Sequence, residues 1–297
     1  MQWPGVLDAV TLHDGTTIEY WDGGDRSGPV VVFHPGTPNG RRMGVHLHAE
    51  ALDAGLRLVS VSRPGYGGST PAPPGLRRDV RLTVQLLDAL GVAEAMVLGV
   101  SGGGPGALAT AAVGGARIRA VAVAAGVAQW PVVDDPTPDD ADERRWVAAA
   151  EAGDLAAATN GYLDQARLFL GPLLALDDEE MVATMFGSLP GGGSRRDADP
   201  DFRSVWAADL REALRTYDGY VRDNLSWSVP WDVDLGAVTA RTFLWYGAED
   251  AMVPPTHGQW LADRLPHADL EVRAGAGHGA VVFDHVPEML QSLTRPG

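Results

Sequence analysis

The run Ala95-Met96-Val97-Leu98-Gly99-Val100, followed by Ser101-Gly102-Gly103-Gly104-Pro105, constrains this chain more than any other stretch. A short apolar run bounded by turn formers reads as a buried strand of a parallel sheet. The Ala- and Leu-rich run from Gly106 to Val113 reads as a helix. Between them the pattern Gly99-x-Ser101-x-Gly103 forces a serine onto a sharp turn with φ > 0, where a Cβ at either flanking glycine would crowd the backbone. Pro105 falls in the first helical turn, where a missing N–H costs little. The helix N-terminus then aims free N–H groups and a positive dipole end at whatever the serine approaches.

The chain around this stretch alternates strands and helices. Val6–Leu12 and Thr16–Trp21 flank His13-Asp14-Gly15, a strong hairpin signal. Val30–Phe33 is a buried strand that runs into the loop His34-Pro35-Gly36-Thr37-Pro38-Asn39-Gly40. Arg41–Ala54 reads as a helix and Leu56–Val61 as a strand, followed by Arg63-Pro64-Gly65-Tyr66-Gly67-Gly68-Ser69. Leu76–Leu90 has helical periodicity and stops at Gly91. Ile118–Ala125 is the next strand. Units of this size predict an α/β fold with a doubly wound, mostly parallel sheet and right-handed crossovers.

After Gly126 the alternation stops. The stretches 139–153, 154–170, 177–189 and 202–225 all read as helices, several opened by an Asp suited to capping. Pro190–Pro200, with its run of glycines, reads as a mobile loop. The sheet pattern resumes with Thr242–Tyr246, a helix at His257–Leu265, a strand at Leu270–Val272 and a last helix at Pro287–Leu293. The expected organisation is a discontinuous core, 1–127 and 231–297, interrupted by a helical cap, 128–230.

Composition narrows the function classes. The formal net charge of −16 argues against nucleic acid and anionic membrane surfaces as partners. With no cysteine there is neither a disulfide framework nor thiolate chemistry. The N-terminus lacks a basic n-region and an apolar h-region, and no apolar run reaches transmembrane length, so a cytoplasmic location is expected. Richness in Ala, Gly, Pro, Arg and Asp, with little Lys, fits a bacterial source. His46 and His48 stand two apart on an expected helix and make a poor metal pair. His34 and the remaining histidines outside the last loop read as structural.

A serine nucleophile needs a base, and the base needs an orienting group. The last strand runs into Gly275-Ala276-Gly277-His278-Gly279, which places a histidine on a loop beyond the strand's C-terminus. The preceding strand ends in Gly247-Ala248-Glu249-Asp250, placing a carboxylate at the same sheet edge. Ligand sites of doubly wound sheets lie at that edge. Ser101, Asp250 and His278 follow one another in the chain order Ser, Asp, His.

These motifs, together with His34–Pro38 and Arg63–Ser69, resemble the α/β-hydrolase superfamily, in particular its capped esterase, lactonase and proline-iminopeptidase-like members. The resemblance covers the core, about two-thirds of the chain. It implies a catalytic Ser101, Asp250 and His278, with Asp250 favoured over Glu249 because the family's acid precedes a Val-Pro pair, here Val253-Pro254. It also implies an oxyanion hole formed by the Gly102 N–H and by an N–H of the loop after the early strand. Related sequences carry His-Gly-x-Pro in that loop. Here Pro35 replaces the histidine, and Thr37, before Pro38, is the donor. The Arg63 loop reads as a brace beside the site. No metal and no organic cofactor is implied, and the partner is a small-molecule ester, lactone or thioester. Two other readings fit the sequence: an aminopeptidase whose cap carboxylates hold the substrate amine, and a non-catalytic ligand receptor on the same scaffold. Cap aromatics such as Trp130, Trp146, Phe169, Phe186, Trp206 and Trp227 are expected mostly to pack between helices, with a minority facing the site.

Overall fold

The computed structural model describes residues 3–129, 141–187 and 193–295. Trp130 lies outside the described residues. The hairpin β1 (Val6–Thr11) and β2 (Thr17–Gly24) turns through Gly15 at φ 84°. It is joined by β3 (Val30–His34), β4 (Arg57–Val61), β5 (Ala95–Val100), β6 (Ile118–Ala124), β7 (Arg241–Gly247) and β8 (Ala268–Arg273). The eight strands lie in the order β1-β2-β4-β3-β5-β6-β7-β8. β2 runs antiparallel to both its neighbours, and every other pair is parallel. Central strands covered on both faces need continuous apolar runs; accordingly β3 and β5 are buried along their whole length, whereas β1 lies exposed at the edge.

Helices α1 (His48–Asp53), α2 (Leu76–Ala89) and α3 (Gly104–Gly114) connect the first parallel strands. Between β6 and β7 come α4 (Ala141–Glu151), α5 (Leu155–Leu173), α6 (Asp178–Gly187), α7 (Pro200–Ala213) and α8 (Asp218–Ser228). α9 (Pro255–Ala262) joins β7 to β8, and α10 (His278–Asp284) and α11 (Val286–Leu293) follow β8. α3 packs on β5 and β6 with α2 beside it, while α11 packs on β6 and β7 with α1 beside it. β3 has β4 on one side and β5 on the other, so their following connections diverge and open a crevice beyond the strand ends. The loop after β3 and the turn after β5 meet in that crevice.

Four local expectations are corrected. The helix expected over Arg41–Ala54 begins as a 3₁₀ helix, Arg41–Leu47, before α1. Its first amides are taken by side chains: Gly40 and Arg42 donate to Asp209, and Arg41 donates to Ser62. The single helix expected over 202–225 is two helices, α7 and α8. The Arg63–Ser69 loop presses in where α8 begins: the Gly219 N–H donates to Gly65 O, and a Cβ on Gly219 would lie 2.6 Å from the Tyr66 ring. His278 is not on a loop but is the first residue of α10, whose N-cap Gly277 is extended. Finally, part of the 190–200 loop is pinned rather than free. Ser194 Oγ donates to Asp284 at 2.6 Å, and Arg196 reaches His46 O and Glu50.

Candidate active site

Ser101 sits at φ 50°, in a region that a residue with a Cβ occupies at a cost of about 1–3 kcal/mol. Close backbone packing enforces the conformation. A Cβ at Gly99 would lie 2.6 Å from Ala107 Cβ, and one at Gly103 would lie 2.1 Å from His34 O. The glycines therefore let β5, the β3 loop and α3 converge on the serine, and Pro105 sits in the first turn of α3.

Ser101 Oγ is 3.1 Å from His278 Nε2, and His278 Nδ1 is 2.8 Å from Asp250 Oδ2. A carboxylate can only accept, so the ring proton belongs on Nδ1 and the Nε2 lone pair faces the serine hydroxyl. Asp250 is buried, and its second oxygen accepts the Met252 and Val253 N–H groups, both at 2.9 Å. Its neighbour Glu249 is exposed. The structure thus brings together the three residues singled out in the sequence, with Glu249 outside the group.

The loop after β3 lies against this centre. A Cβ on Gly36 would stand 3.3 Å from Ser101 Cβ, and one on Gly102 would stand 2.4 Å from Thr37 Oγ. Thr37 and Gly102 are therefore close neighbours beside the serine. Asn39 N–H donates to Gly36 O at 2.8 Å and closes the turn, while the Thr37 N–H makes no hydrogen bond among the described residues. His34 is buried, with Nε2 3.0 Å from Thr110 Oγ. Burial, with Arg63 adding to it, drives its pKa down to about 3, so it is a neutral structural ring.

A cavity of about 80 Å³ opens in front of Ser101. Its walls are mainly apolar: Met43, Met185, Phe186, Trp206, Val282 and Phe283, with Asn39, Thr37 and His278 as the polar members. Among the described residues no carboxylate lines it. The insertion's buried acids are engaged elsewhere: Asp209 with Asn39, Gly40 and Arg42, Glu212 with Arg41 and Arg42, and Asp223 with Arg63. Of the aromatic residues in the insertion, Phe186 and Trp206 face the cavity, Trp146 packs edge-on to Tyr162, and Phe169 is exposed. A larger open depression of about 760 Å³ lies at the opposite strand ends beside Arg119, Arg241 and His267, away from Ser101.

Sequence reasoning missed Asp223. It accepts from Thr37 Oγ at 2.6 Å, from Tyr66 OH at 2.7 Å and from Arg63 Nη2 at 2.6 Å. An acidic residue on an amphipathic helix carries the same signal as any solvated one, so no local pattern marks it.

The alpha/beta hydrolase fold family matches residues 29–284. The chain belongs to that family and is an enzyme of the α/β-hydrolase class. It is 26% identical over 278 residues to a non-heme chloroperoxidase of Kitasatospora aureofaciens, covering 91% of each chain. It is 25% identical to a 2-hydroxy-6-oxononadienedioate/2-hydroxy-6-oxononatrienedioate hydrolase of Cupriavidus pinatubonensis, covering 93% of this chain and 90% of that one. Among solved structures it resembles an esterase from Exiguobacterium antarcticum, with a TM-score of 0.69 at 18% identity over 97% of this chain and 98% of that one. Among the described residues no helix is long and apolar enough to cross a membrane.

Proposed function

We propose that this hydrolase cleaves carboxylic esters of small, uncharged acyl groups through an acyl-enzyme on Ser101. His278 Nε2 takes the Ser101 proton as Oγ attacks the ester carbonyl. The Gly102 and Thr37 amides hold the oxyanion that develops, where preorganised donors act most strongly. Asp250 keeps His278 in the Nδ1–H tautomer and stabilises the imidazolium. Collapse expels the alcohol, which takes its proton from His278. Water activated by the same ring then releases the acid.

The observation that carries this reading is the relay of 3.1 and 2.8 Å from Ser101 through His278 to buried Asp250, facing an apolar cavity. The same cavity weighs against the aminopeptidase reading, because a substrate ammonium group would find no carboxylate among the described lining residues. A helical cap over 128–230, with Met185, Phe186 and Trp206 as its contribution to the acyl pocket, belongs to this proposal, as does a cytoplasmic location. A panel of p-nitrophenyl esters of increasing chain length, set against proline-naphthylamide, tests it. Turnover of short esters without release of naphthylamine is the expected result; the reverse pattern would replace the esterase with the aminopeptidase.

A further inference from the structure

Of the insertion's helices, α8 bears most directly on the loop after β3. Asp223 and Trp227 stand four residues apart, one turn along a common face. Asp223 accepts the Thr37 hydroxyl at 2.6 Å, and a Cβ added at Gly102 would lie 2.8 Å from the Trp227 ring. On the core side, Arg63 reaches Asp223 with Nε at 3.1 Å and Nη2 at 2.6 Å, and its Nη1 donates to Pro35 O. Arg63 and Asp223 are both buried. Burial by itself would lower the Arg63 pKa, but the adjacent Asp223 outweighs it and raises the value, so the guanidinium stays charged. The neighbouring Arg222 pairs with Asp79, tying α8 to α2 as well.

The consequence falls on one peptide unit. The Gly36–Thr37 peptide supplies the Thr37 N–H. It lies between the Pro35 carbonyl, held by Arg63, and the Thr37 side chain, held by Asp223. Arg63 and Asp223 are in turn fixed to each other. The peptide is thus clamped from both ends by a single buried pair, and one half of that pair comes from the insertion.

Building on the serine-hydrolase reading above, we infer that Asp223, acting with Arg63, is a positioning residue that aims the Thr37 amide at the developing oxyanion. The inserted helix α8 then forms part of the oxyanion site rather than merely covering it. Such a donor acts only if held at hydrogen-bonding distance from where the oxygen becomes charged, and losing one outright costs about 10²–10³ in kcat. Loosening one costs less, roughly ten- to a hundredfold. Ground-state binding of the ester is affected little, because the charge is absent there.

Thr37→Val, Thr37→Ser and Asp223→Asn test the inference, with circular dichroism confirming the fold. Each is assayed for kcat and KM on p-nitrophenyl butyrate and for inhibition by phenylboronic acid, whose tetrahedral adduct carries the oxyanion charge. Thr37→Val keeps the amide and the side-chain volume but loses the hydroxyl. It should lower kcat about ten- to a hundredfold at nearly constant KM and weaken the boronate by the same factor. Thr37→Ser should restore both to near wild type. Asp223→Asn should follow Thr37→Val; if it does not fold, the two Thr37 variants decide the matter. An active wild type whose Thr37→Val variant keeps its kcat and boronate affinity, or changes only in KM, overturns the positioning role and leaves the hydrolase reading standing. A wild type that hydrolyses no ester and binds no boronate overturns both.

Discussion

Asp250 presents its two carboxylate oxygens to different tasks. Oδ2 meets His278 Nδ1 at 2.8 Å, and Oδ1 accepts the Met252 and Val253 amides at 2.9 Å. The turn after β7 thereby fixes the carboxylate before the histidine arrives from α10. Glu249, one residue earlier, is exposed. Its N–H donates to Ala276 O, which fastens the β7 end to the segment leading into His278.

Asp250→Asn is therefore expected to lower kcat by about 10⁴, because the amide favours the wrong imidazole tautomer while the fold persists. Glu249→Gln should stay within about twofold of wild type, as an exposed substitution does. Steady-state kinetics of the two purified variants on one ester separates the assignments; a reversal would make Glu249 the orienting acid.

The difference between these two acids illustrates what the sequence can and cannot convey. The Ser101 turn is legible because its requirement is local: glycines where β5, the β3 loop and α3 come within contact distance. The hairpin at Gly15 and the parallel sheet are legible for the same reason, through turn chemistry and apolar runs. The break between α7 and α8 is not, since it arises where Tyr66, from a loop about 150 residues earlier, meets Gly219. Nor is Asp223, whose charge on an amphipathic helix reads as solvated until tertiary packing places Arg63 against it. The division of the insertion's aromatics, with Trp206 on the cavity and Trp146 against Tyr162, follows from how the helices dock.

Acyl-chain selectivity is expected to depend on Met185, which lines the cavity from α6. Met185→Ala opens space for additional methylenes, each worth about 1–3 kcal/mol in a fitted pocket. The ratio of kcat/KM for octanoate over butyrate esters should rise at least about tenfold. An unchanged ratio would move the acyl pocket elsewhere.

The acid limb of stability carries a signature of His46. Its ring lies 4.3 Å from the Phe202 ring and is buried, with Nε2 unpartnered among the described residues. Burial, reinforced by Arg196, lowers its pKa from 6.5 to about 3. The unfolded chain takes the proton below about pH 6.5 and the folded chain does not, so this contribution is lost as pH falls from 6.5 toward 3. Asp209 acts in the opposite sense: burial raises it from 3.8 to about 6, and the folded state gains stability as pH falls through that window. The difference between wild type and His46→Phe isolates the histidine. Measured by urea denaturation, the variant should gain about 2 kcal/mol on wild type between pH 7 and pH 5. A pH-independent difference would mean that the ring takes up its proton equally in the folded and the unfolded protein.

Ser101→Ala should retain the fold and lose ester turnover by a factor on the order of 10⁶, leaving a rate near background. Thermal unfolding and initial rates on a p-nitrophenyl ester check the two halves of that expectation.

The central claim is that Ser101 is a nucleophile activated by His278. Its most direct test is reaction of the native enzyme with a fluorophosphonate, followed by peptide mass mapping of the adduct. A single adduct on the peptide carrying Ser101, absent from Ser101→Ala and formed far more slowly in His278→Ala, is the result expected. An unlabelled wild-type enzyme, or an adduct on another serine that persists in Ser101→Ala, would contradict it.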